Sequence, residues 1–272
     1  ALEDEKNGTA VKNIVITHDG KLDSGLDLTL HTSNGGIDVT DDTLAKQNLT
    51  VTVDNLGDVN FERNVDVTGN VTASTKVGDI TIGETIATGE NVNMTVGTGN
   101  INVGEDVVAG GKVKLDVTKS GSVTIGEADG TGNILAEGDV VITTKNDGTL
   151  AQNGTMVNTS ITSTGGSVTV NAEHGDIYVG KVKTEDTINA KQNVNLNVTG
   201  GTITVNGTTQ TQKGDITVEA LNDAGKQNIV ITSNGMLDSG RDLTMHVTNG
   251  DIKVTGNTLA KEDMTGTIDN EG

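Results

Sequence analysis

Residues 91–111 read NVNMTVGTGNINVGEDVVAGG, and this stretch predicts the fold. Val92, Met94 and Val96 place apolar side chains at every second position, and a second alternating run starts at Ile101. Alternation with period two is typical of strands that bury one face, and the Gly- and Asn-rich segment between the runs favours a turn. A third, looser segment closes the unit. The pattern therefore predicts three short strands in each unit of this length.

The same pattern recurs along the chain. Similar windows begin at Asp27, Asn48, Asn70, Asn91 and Lys112, so that one window follows another at a nearly constant interval. Repetition at a period of roughly 20 to 50 residues is the signature of a solenoid or another repeat architecture. Later windows are more widely spaced, which indicates loops inserted into regular turns. We place these insertions near Lys145 to Asn158 and Thr208 to Lys213.

A much longer repeat contains the short one. Asn13 to Gly57 aligns without a gap with Asn228 to Gly272, at an offset of 215 in the numbering, and 28 of the 45 pairs are identical. The positions that we expect to point inward keep their apolar character in the second copy: Ile14, Ile16, Leu22, Leu28, Ile37, Val39 and Leu44. The sequence begins without Met and stops partway through the second unit, so we expect a piece of a longer, tandemly repeated protein.

Composition distinguishes between the possible β-folds. The chain has one Phe, one Tyr, no Trp, no Pro and 37 Gly, and its apolar residues are mostly Val, Ile, Leu and Ala. A narrow coil stacks mid-sized side chains on every turn, has no room for repeated aromatics and cannot use Pro in its ladders. A β-sandwich would need longer strands and larger core residues.

We therefore predict an all-β fold, a right-handed parallel β-helix with about 21 residues per coil and roughly 11–12 coils. It would form one continuous segment over residues 1–272. The right-handed winding rests only on the general preference of such folds.

The charge balance argues against nucleic acid as a partner. The chain has 18 Lys and Arg against 38 Asp and Glu, with a formal net charge of −20, so it cannot easily form a basic face for phosphates. No stretch is long and apolar enough to cross a membrane as a helix, and we expect no membrane insertion. The absence of Cys excludes disulfides. The simplest interpretation of the acidity is solubility.

Three groups of residues resemble sites. Asp38, Asp41 and Asp42 form an acidic cluster, but their partners in the second copy are Lys253, Gly256 and Asn257, which favours solvated surface. The repeated motif LDSG-x-DLT spans Leu22–Thr29 and Leu237–Thr244. Its Asp23 and Asp27 have the oxygen ligands that a cation would need. We favour a turn, in which Asp and Ser bond nearby backbone and Gly25 takes unusual dihedral angles.

The four histidines do not suggest a metal site. His31 and His246 correspond between the copies, and each stands alone at an outward position of a strand. His18 is replaced by Ser233 in the second copy, and His174 lies in a predicted turn. A metal site needs convergent ligands. We therefore predict no metal-binding residue, no cofactor-binding residue and no catalytic residue.

Other functions find weaker support. Polysaccharide enzymes use this fold, but the chain has two Arg and two aromatic residues and no gathered acid–base pair, so we expect no enzyme. Ice binding would need Thr-x-Thr at one place on every coil, and it appears only sporadically, as at Thr50–Thr52 and Thr202–Thr204. Sequons for N-glycosylation occur as expected by chance in a chain rich in Asn and Thr: Asn7, Asn48, Asn70, Asn93, Asn153, Asn158, Asn197 and Asn206.

The segments GDITIG, NVNMTVGTGNINVG, GDVVITT and SGRDLTM resemble the repeat region of filamentous-haemagglutinin-like exoproteins of Gram-negative bacteria. These are surface adhesins exported by two-partner secretion, with short repeats of similar length to the period seen here. The resemblance covers nearly the whole chain. It implies a right-handed β-helical shaft displayed outside the cell for adhesion or reach. The long super-repeat departs from that family's imperfect short repeats.

These observations lead us to expect a structural shaft segment of a long surface filament. Its partners would be adjacent repeats and other copies of itself, end to end or side by side. The alternative is a binding module whose loops contact a receptor or glycan, and the third candidate is a polysaccharide-active enzyme. We expect an extracellular location on the surface of a Gram-negative bacterium.

Overall fold

The computed structural model of the chain describes residues 13–17, 21–126, 132–145, 155–157, 160–180, 187–221 and 227–269. Within these ranges the chain forms 33 strands, numbered β1 to β33 along the sequence, and no helix. Three strands make one turn, and strands of successive turns pair in parallel on three faces.

Face 1 consists of two sheets that meet at adjacent but unpaired strands, β16 and β19. The first holds β1 Ile14–Ile16, β4 Ile37–Val39, β7 Val59–Phe61, β10 Ile80–Ile82, β13 Ile101–Val103 and β16 Val123–Ile125. The second holds β19 Thr155–Val157, β22 Ile177–Val179, β25 Thr202–Val205, β28 Gln227–Ile231 and β31 Gly250–Val254.

Face 2 is one sheet of eleven strands. It holds β2 Leu22–Ser24, β5 Thr43–Ala45, β8 Val65–Val67, β11 Ile86–Thr88, β14 Val107–Ala109, β17 Asn133–Ala136, β20 Ser160–Ser163, β23 Thr187–Ala190, β26 Thr208–Thr211, β29 Met236–Ser239 and β32 Asn257–Ala260.

Face 3 is also one sheet of eleven strands and contains the longest ones. It holds β3 Leu28–Thr32, β6 Leu49–Leu56, β9 Val71–Val77, β12 Val92–Thr98, β15 Val113–Ser120, β18 Val140–Thr144, β21 Val168–Glu173, β24 Val194–Thr199, β27 Ile216–Leu221, β30 Leu243–Thr248 and β33 Met264–Asp269.

The predicted parallel β-solenoid is therefore confirmed. Eleven stacked strands on faces 2 and 3 make about ten turns, close to the eleven or twelve expected. The first five strands of face 3 start at Leu28, Leu49, Val71, Val92 and Val113, which agrees with the predicted spacing. The right hand of the winding stays a prediction.

Each inward position stacks on the same position of the next turn. Val71, Val92 and Val113 are in register on face 3, and all three are buried. The single Phe of the chain, Phe61, lies inside and is only 1% exposed, between Val39 and Ile82. The core is thus a set of aliphatic columns, which short alternating runs of Val, Ile and Leu produce directly.

The bend between faces 2 and 3 is tight because its inner position is small on every turn. In each face-2 strand, the last residue whose side chain points inward is never larger than Val. These residues are Ser24, Ala45, Val67, Thr88, Ala109, Ala136, Ser163, Ala190, Thr211, Ser239 and Ala260. Three or four residues connect the two faces at every turn. A small inner side chain lets the two sheets approach closely at this edge.

The prediction that Leu44 points inward is wrong. Thr43 and Ala45 are buried in β5, whereas Leu44 lies between them on the outer surface and pairs with the outward Asp66. Its counterpart Leu259 is likewise outward and 54% exposed. The alternation was assigned to the wrong phase because the two inward side chains of β5 are a Thr and an Ala.

The longest intervals in sequence between consecutive described strands all adjoin strands of face 1. They cover 126–132, 145–154, 180–186 and 222–226, and each one enters or leaves a face-1 strand. The predicted loop near Lys145 to Asn158 falls mostly outside the described residues. The predicted loop Thr208 to Lys213 is wrong, because Thr208–Thr211 is the regular strand β26 with Thr209 fully buried.

A column of glycines turns the chain from face 3 to face 1. Gly35, Gly57, Gly78, Gly99 and Gly121 follow one another on successive turns with φ between 116° and 151°. A Cβ at Gly99 would lie 2.1 Å from the carbonyl oxygen of Gly78, so both the dihedral angle and the close approach require glycine.

We expect Gly99→Ala to lower the free energy of unfolding by about 2–4 kcal/mol, because it adds strain at positive φ to a clash with backbone. Urea denaturation followed by circular dichroism measures the change. Gly25→Ala is the matched control, since no atom lies within 4 Å of its added Cβ and its φ is not in the left-handed range. Equal stability of the two variants would contradict the role of the column.

Two buried hydroxyls in the described core have no hydrogen-bond partner, the Oγ1 atoms of Thr43 and Thr209. Thr209 is fully buried and stacks between Ile188 and Leu237. Thr211, two residues further on, differs because its hydroxyl donates to the carbonyl of Gly214 at 2.6 Å.

Thr209→Val is expected to raise the free energy of unfolding by about 1 kcal/mol, because it replaces an unsatisfied buried hydroxyl with a methyl group of the same shape. Thr211→Val removes a bonded hydroxyl from the same strand and is expected to lower it by about 1–2 kcal/mol. Denaturant titration of both variants checks the pair, and a loss of stability in Thr209→Val would count against the interpretation.

Candidate functional site

The edge between faces 2 and 3 carries a side-chain ladder along its length. The residue before each face-3 strand is polar: Asp27, Asn48, Asn70, Asn91, Lys112, Asp139, Ser167, Asn193, Asp215, Asp242 and Asp263. We call this set the corner ladder. Except at Lys112, the side-chain oxygen of each ladder residue accepts a hydrogen bond from the backbone N–H of the next ladder residue. Asp27 Oδ1 accepts one from Asn48 at 3.0 Å, and Asp242 Oδ1 accepts one from Asp263 at 3.0 Å.

Lys112 interrupts the corner ladder, since it has no acceptor in its side chain. Its ammonium instead lies 2.9 Å from Asp139 Oδ2 on the next turn. This hydrogen bond lowers the pKa of Asp139 below its ordinary value, with help from the Ser167 amide, and it raises the pKa of Lys112. Both shifts favour the charged forms of a surface ion pair, so neither group is prepared to transfer protons near neutral pH.

The repeated motif LDSG-x-DLT forms a turn, as expected. Ser24 Oγ donates to the carbonyl of Asp27 at 3.0 Å, and Ser239 Oγ does the same to Asp242 at 2.7 Å. The expectation that Gly25 adopts unusual dihedral angles is wrong, since its φ lies outside the left-handed range. In the second copy, glycine is needed for space, because a Cβ at Gly240 would lie 2.6 Å from the backbone of Gln212.

The acidic cluster on face 1 and its edge is engaged with the next turn. Asp38 Oδ1 accepts a hydrogen bond from Asn60 Nδ2 at 2.9 Å, and Asp42 Oδ1 accepts one from Asn64 at 3.3 Å. Asp41 accepts the backbone N–H of Asp42 at 2.8 Å. Asp38 and Asp42 thus join neighbouring turns, and in the described part of the chain no three His, Asp or Glu residues gather as metal ligands would.

The structure pairs the two corresponding histidines with a partner that sequence reasoning missed. His31 Nε2 lies 2.8 Å from Asp54 Oδ2, and His246 Nε2 lies 2.8 Å from Asp269 Oδ2. The four residues share the offset of 215, so both copies contain the same cross-turn contact. Both residues recur at this offset, but outward strand residues such as Thr29, Thr50 and Thr52 recur as well, so recurrence alone did not single out the contact.

Other residues singled out in the sequence are dispersed. His174 lies in a turn at a φ of 58°, as predicted, and His18 lies outside the described residues. Thr50 and Thr52 point outward on face 3, whereas Thr202 and Thr204 belong to face 1, so the two Thr-x-Thr pairs form no common array. Among the sequons, Asn48 and Asn70 belong to the corner ladder, while Asn7, Asn153 and Asn158 lie outside the described residues.

A shallow groove with a volume of about 370 Å³ lies on the outer surface of face 2 across β20, β23 and β26. Thr162, Asn189 and Gln210 point into it from successive strands, and Thr164 and Gln212 border it at the corner. Gln210 Nε2 donates to Asn189 Oδ1, and Asn189 Nδ2 donates to Thr187 at 3.0 Å. Every lining residue is uncharged, so hydroxyl and amide groups are available for a neutral, hydroxyl-rich ligand.

A second concavity of about 380 Å³ lies near the other end of face 2. It contains Lys21, Asp42, Asn64 and Asp66 among its lining residues. Asn64 Nδ2 is already bonded to Asp42 at 3.3 Å and to Glu84 at 2.6 Å. This concavity differs from the uncharged groove because Lys21, Asp42 and Asp66 line it, so it is less suited to a neutral ligand.

The described segments contain no helix with the length and hydropathy needed to span a membrane.

No protein-family model matches the chain, and no curated protein and no solved structure shows significant similarity to it.

Proposed function

We propose that this chain is a shaft segment of a long extracellular filament or adhesin on a bacterial surface. Its role would be mechanical, since each turn bonds its backbone to the next and the rod resists bending along its axis. The resemblance to filamentous-haemagglutinin-like exoproteins supports the placement on a Gram-negative cell surface. The partners of the segment would be further turns of the same kind.

One observation carries this proposal: the second copy of the long repeat continues the same parallel stack as the first, so that β30 pairs with β33 as β3 pairs with β6. In the first copy the next turn covers the inward residues Leu49 and Val53, which are 1% and 2% exposed. Their counterparts Met264 and Ile268 have the same inward phase on β33. A further turn like residues 58–78 would therefore stack on β33 in the same register.

The duplication permits a direct test. Gly272 is the counterpart of Gly57, so a second copy of residues 58–121 can be appended after it in the natural register. We expect three added turns that lengthen the rod by about 14 Å and protect β33 from exchange. X-ray scattering measures the length, and amide hydrogen exchange measures the protection.

The control appends the same segment with Val59, Ile80 and Ile101 changed to Asp, which should abolish stacking. If the unmodified extension leaves β33 unprotected from exchange and the length unchanged, β33 does not template another turn and the shaft proposal fails.

Glycan binding is the second candidate, and the uncharged groove on face 2 favours it. Its span of three strands is about 10 Å, the length of two sugar rings. This version differs from the predicted binding by inserted loops, because the described residues that line the groove belong to β20, β23, β26 and their corners.

We expect millimolar or tighter binding of cellotetraose, maltotetraose or chitotetraose, lost in the double variant Asn189→Ala, Gln210→Ala. The matched control is Asn195→Ala, Asn197→Ala, which removes two outward amides from face 3. Ligand-observed NMR measures the binding. Absence of binding to all three sugars, or equal loss in both variants, would reject the groove as the site.

A further inference from the structure

Face 3 carries almost no net charge on a strongly acidic rod. Two columns of outward side chains run along it, in register from turn to turn. The first column is Thr29, Thr50, Thr72, Asn93, Lys114, Val141, Thr169, Asn195, Thr217, Thr244 and Thr265. The second is His31, Thr52, Ser74, Thr95, Asp116, Thr143, Asn171, Asn197, Glu219, His246 and Thr267.

Of these 22 positions, twelve are Thr or Ser and four are Asn. The formally charged members are Lys114, Asp116 and Glu219, and Lys114 Nζ lies 3.0 Å from Asp116 Oδ2. The two columns therefore contribute a formal charge of −1, while the chain carries −20. Many of the acidic residues lie instead at the edges of the rod. Some belong to the corner ladder, and others, such as Asp58, Asp79 and Asp106, form similar cross-turn bonds at the other edges.

The shape of this face suits a large contact. The edge that it shares with face 2 carries three or four residues at every turn and no insertion. Ten steps of about 4.8 Å give a length of about 48 Å, and the shortest strands of the face, which have five residues, give a width of about 17 Å. The resulting area of about 800 Å² is what one partner contributes to a stable protein interface of standard size.

We propose that face 3 is the surface through which two copies of this rod pack side by side. A basic partner would meet little net opposite charge there, because the strands of face 3 contain five acidic side chains against three lysines. A partner that uses the whole face must be as long as the face itself, flat and nearly neutral, with polar groups repeating at the same spacing. Another copy of face 3 has each of these properties, and it keeps most of the acidic edges outside the contact.

The charge of the rods sets the conditions of association. Two chains of −20 repel one another, but charges beyond about 8 Å are largely screened at physiological ionic strength. The side-by-side pair therefore becomes stronger as salt is raised, because the contact itself loses little electrostatic attraction. This property does not depend on whether the rod belongs to a longer filament.

Sedimentation equilibrium of the full chain between 5 and 500 µM in 150 mM NaCl tests the proposal. The wild type forms a dimer, and Thr72→Glu with Thr95→Glu on face 3 raises its dissociation constant at least tenfold. The matched control, Thr81→Glu with Thr124→Glu, adds the same charge to outward threonines of face 1 and leaves the dimer intact. A wild type that is monomeric at 500 µM overturns the proposal, as does an equal effect of both variants, which would indicate stacking by the ends.

Cross-linking provides a second measurement that does not depend on the Glu variants folding. The chain has no cysteine, so single replacements report one surface each. Thr95→Cys on face 3 is expected to give a covalent dimer with a short bismaleimide, and Thr81→Cys on face 1 is not. Cross-linking through face 1 alone would overturn the assignment.

Discussion

The rest of this structure depends on one constraint: parallel stacking places every residue next to its own equivalent, about 4.8 Å away on the next turn. A residue is therefore acceptable only if it tolerates a neighbour of the same kind. Valine on valine fills the interior, as Val71, Val92 and Val113 do. Glycine on glycine permits the closest approach of backbone at the edge that contains Gly78 and Gly99. Asparagine is suited to the corner ladder, because its amide both accepts and donates along the column.

This constraint explains why the fold could be predicted from sequence while several side chains could not. The spacing of the repeats and the alternation of apolar residues recur many times along the sequence. They therefore predict a parallel solenoid even when single turns are irregular. The phase of one strand has only two or three inward residues to define it. In β5 those residues are Thr43 and Ala45, and the outward Leu44 gave the stronger apolar signal. In β26 they are Thr209 and Thr211, so a regular strand looked like a loop.

Contacts between turns were the hardest to foresee, because they join residues that are a full turn apart in sequence. The contact of His31 with Asp54 needs both the period and the exact corner lengths. The internal duplication compensates in part, since the same pair returns as His246 and Asp269 with the same 2.8 Å separation. The uncharged groove on face 2 left no comparable trace, because its members come from three turns of unequal length.

The same stacking is unfavourable when the equivalent residues on adjacent turns carry like charges. Two carboxylates about 4.8 Å apart repel by roughly 1 kcal/mol even at the dielectric constant of water. In the first copy the corner ladder follows Asp27 with the neutral Asn48. In the second copy the equivalent residues are Asp242 and Asp263, and Asp215 precedes them.

The neighbouring position changes with this ladder in a way that reduces the repulsion. Leu26 in the first copy becomes Arg241 in the second, and its Nε lies 3.8 Å from Asp215 Oδ1 and 3.7 Å from Glu262 Oε1. One of the two arginines in the chain thus stands where three acidic ladder residues follow one another. The differences between the copies are therefore not independent, because a substitution at one position changes what its neighbours on the adjacent turns can tolerate.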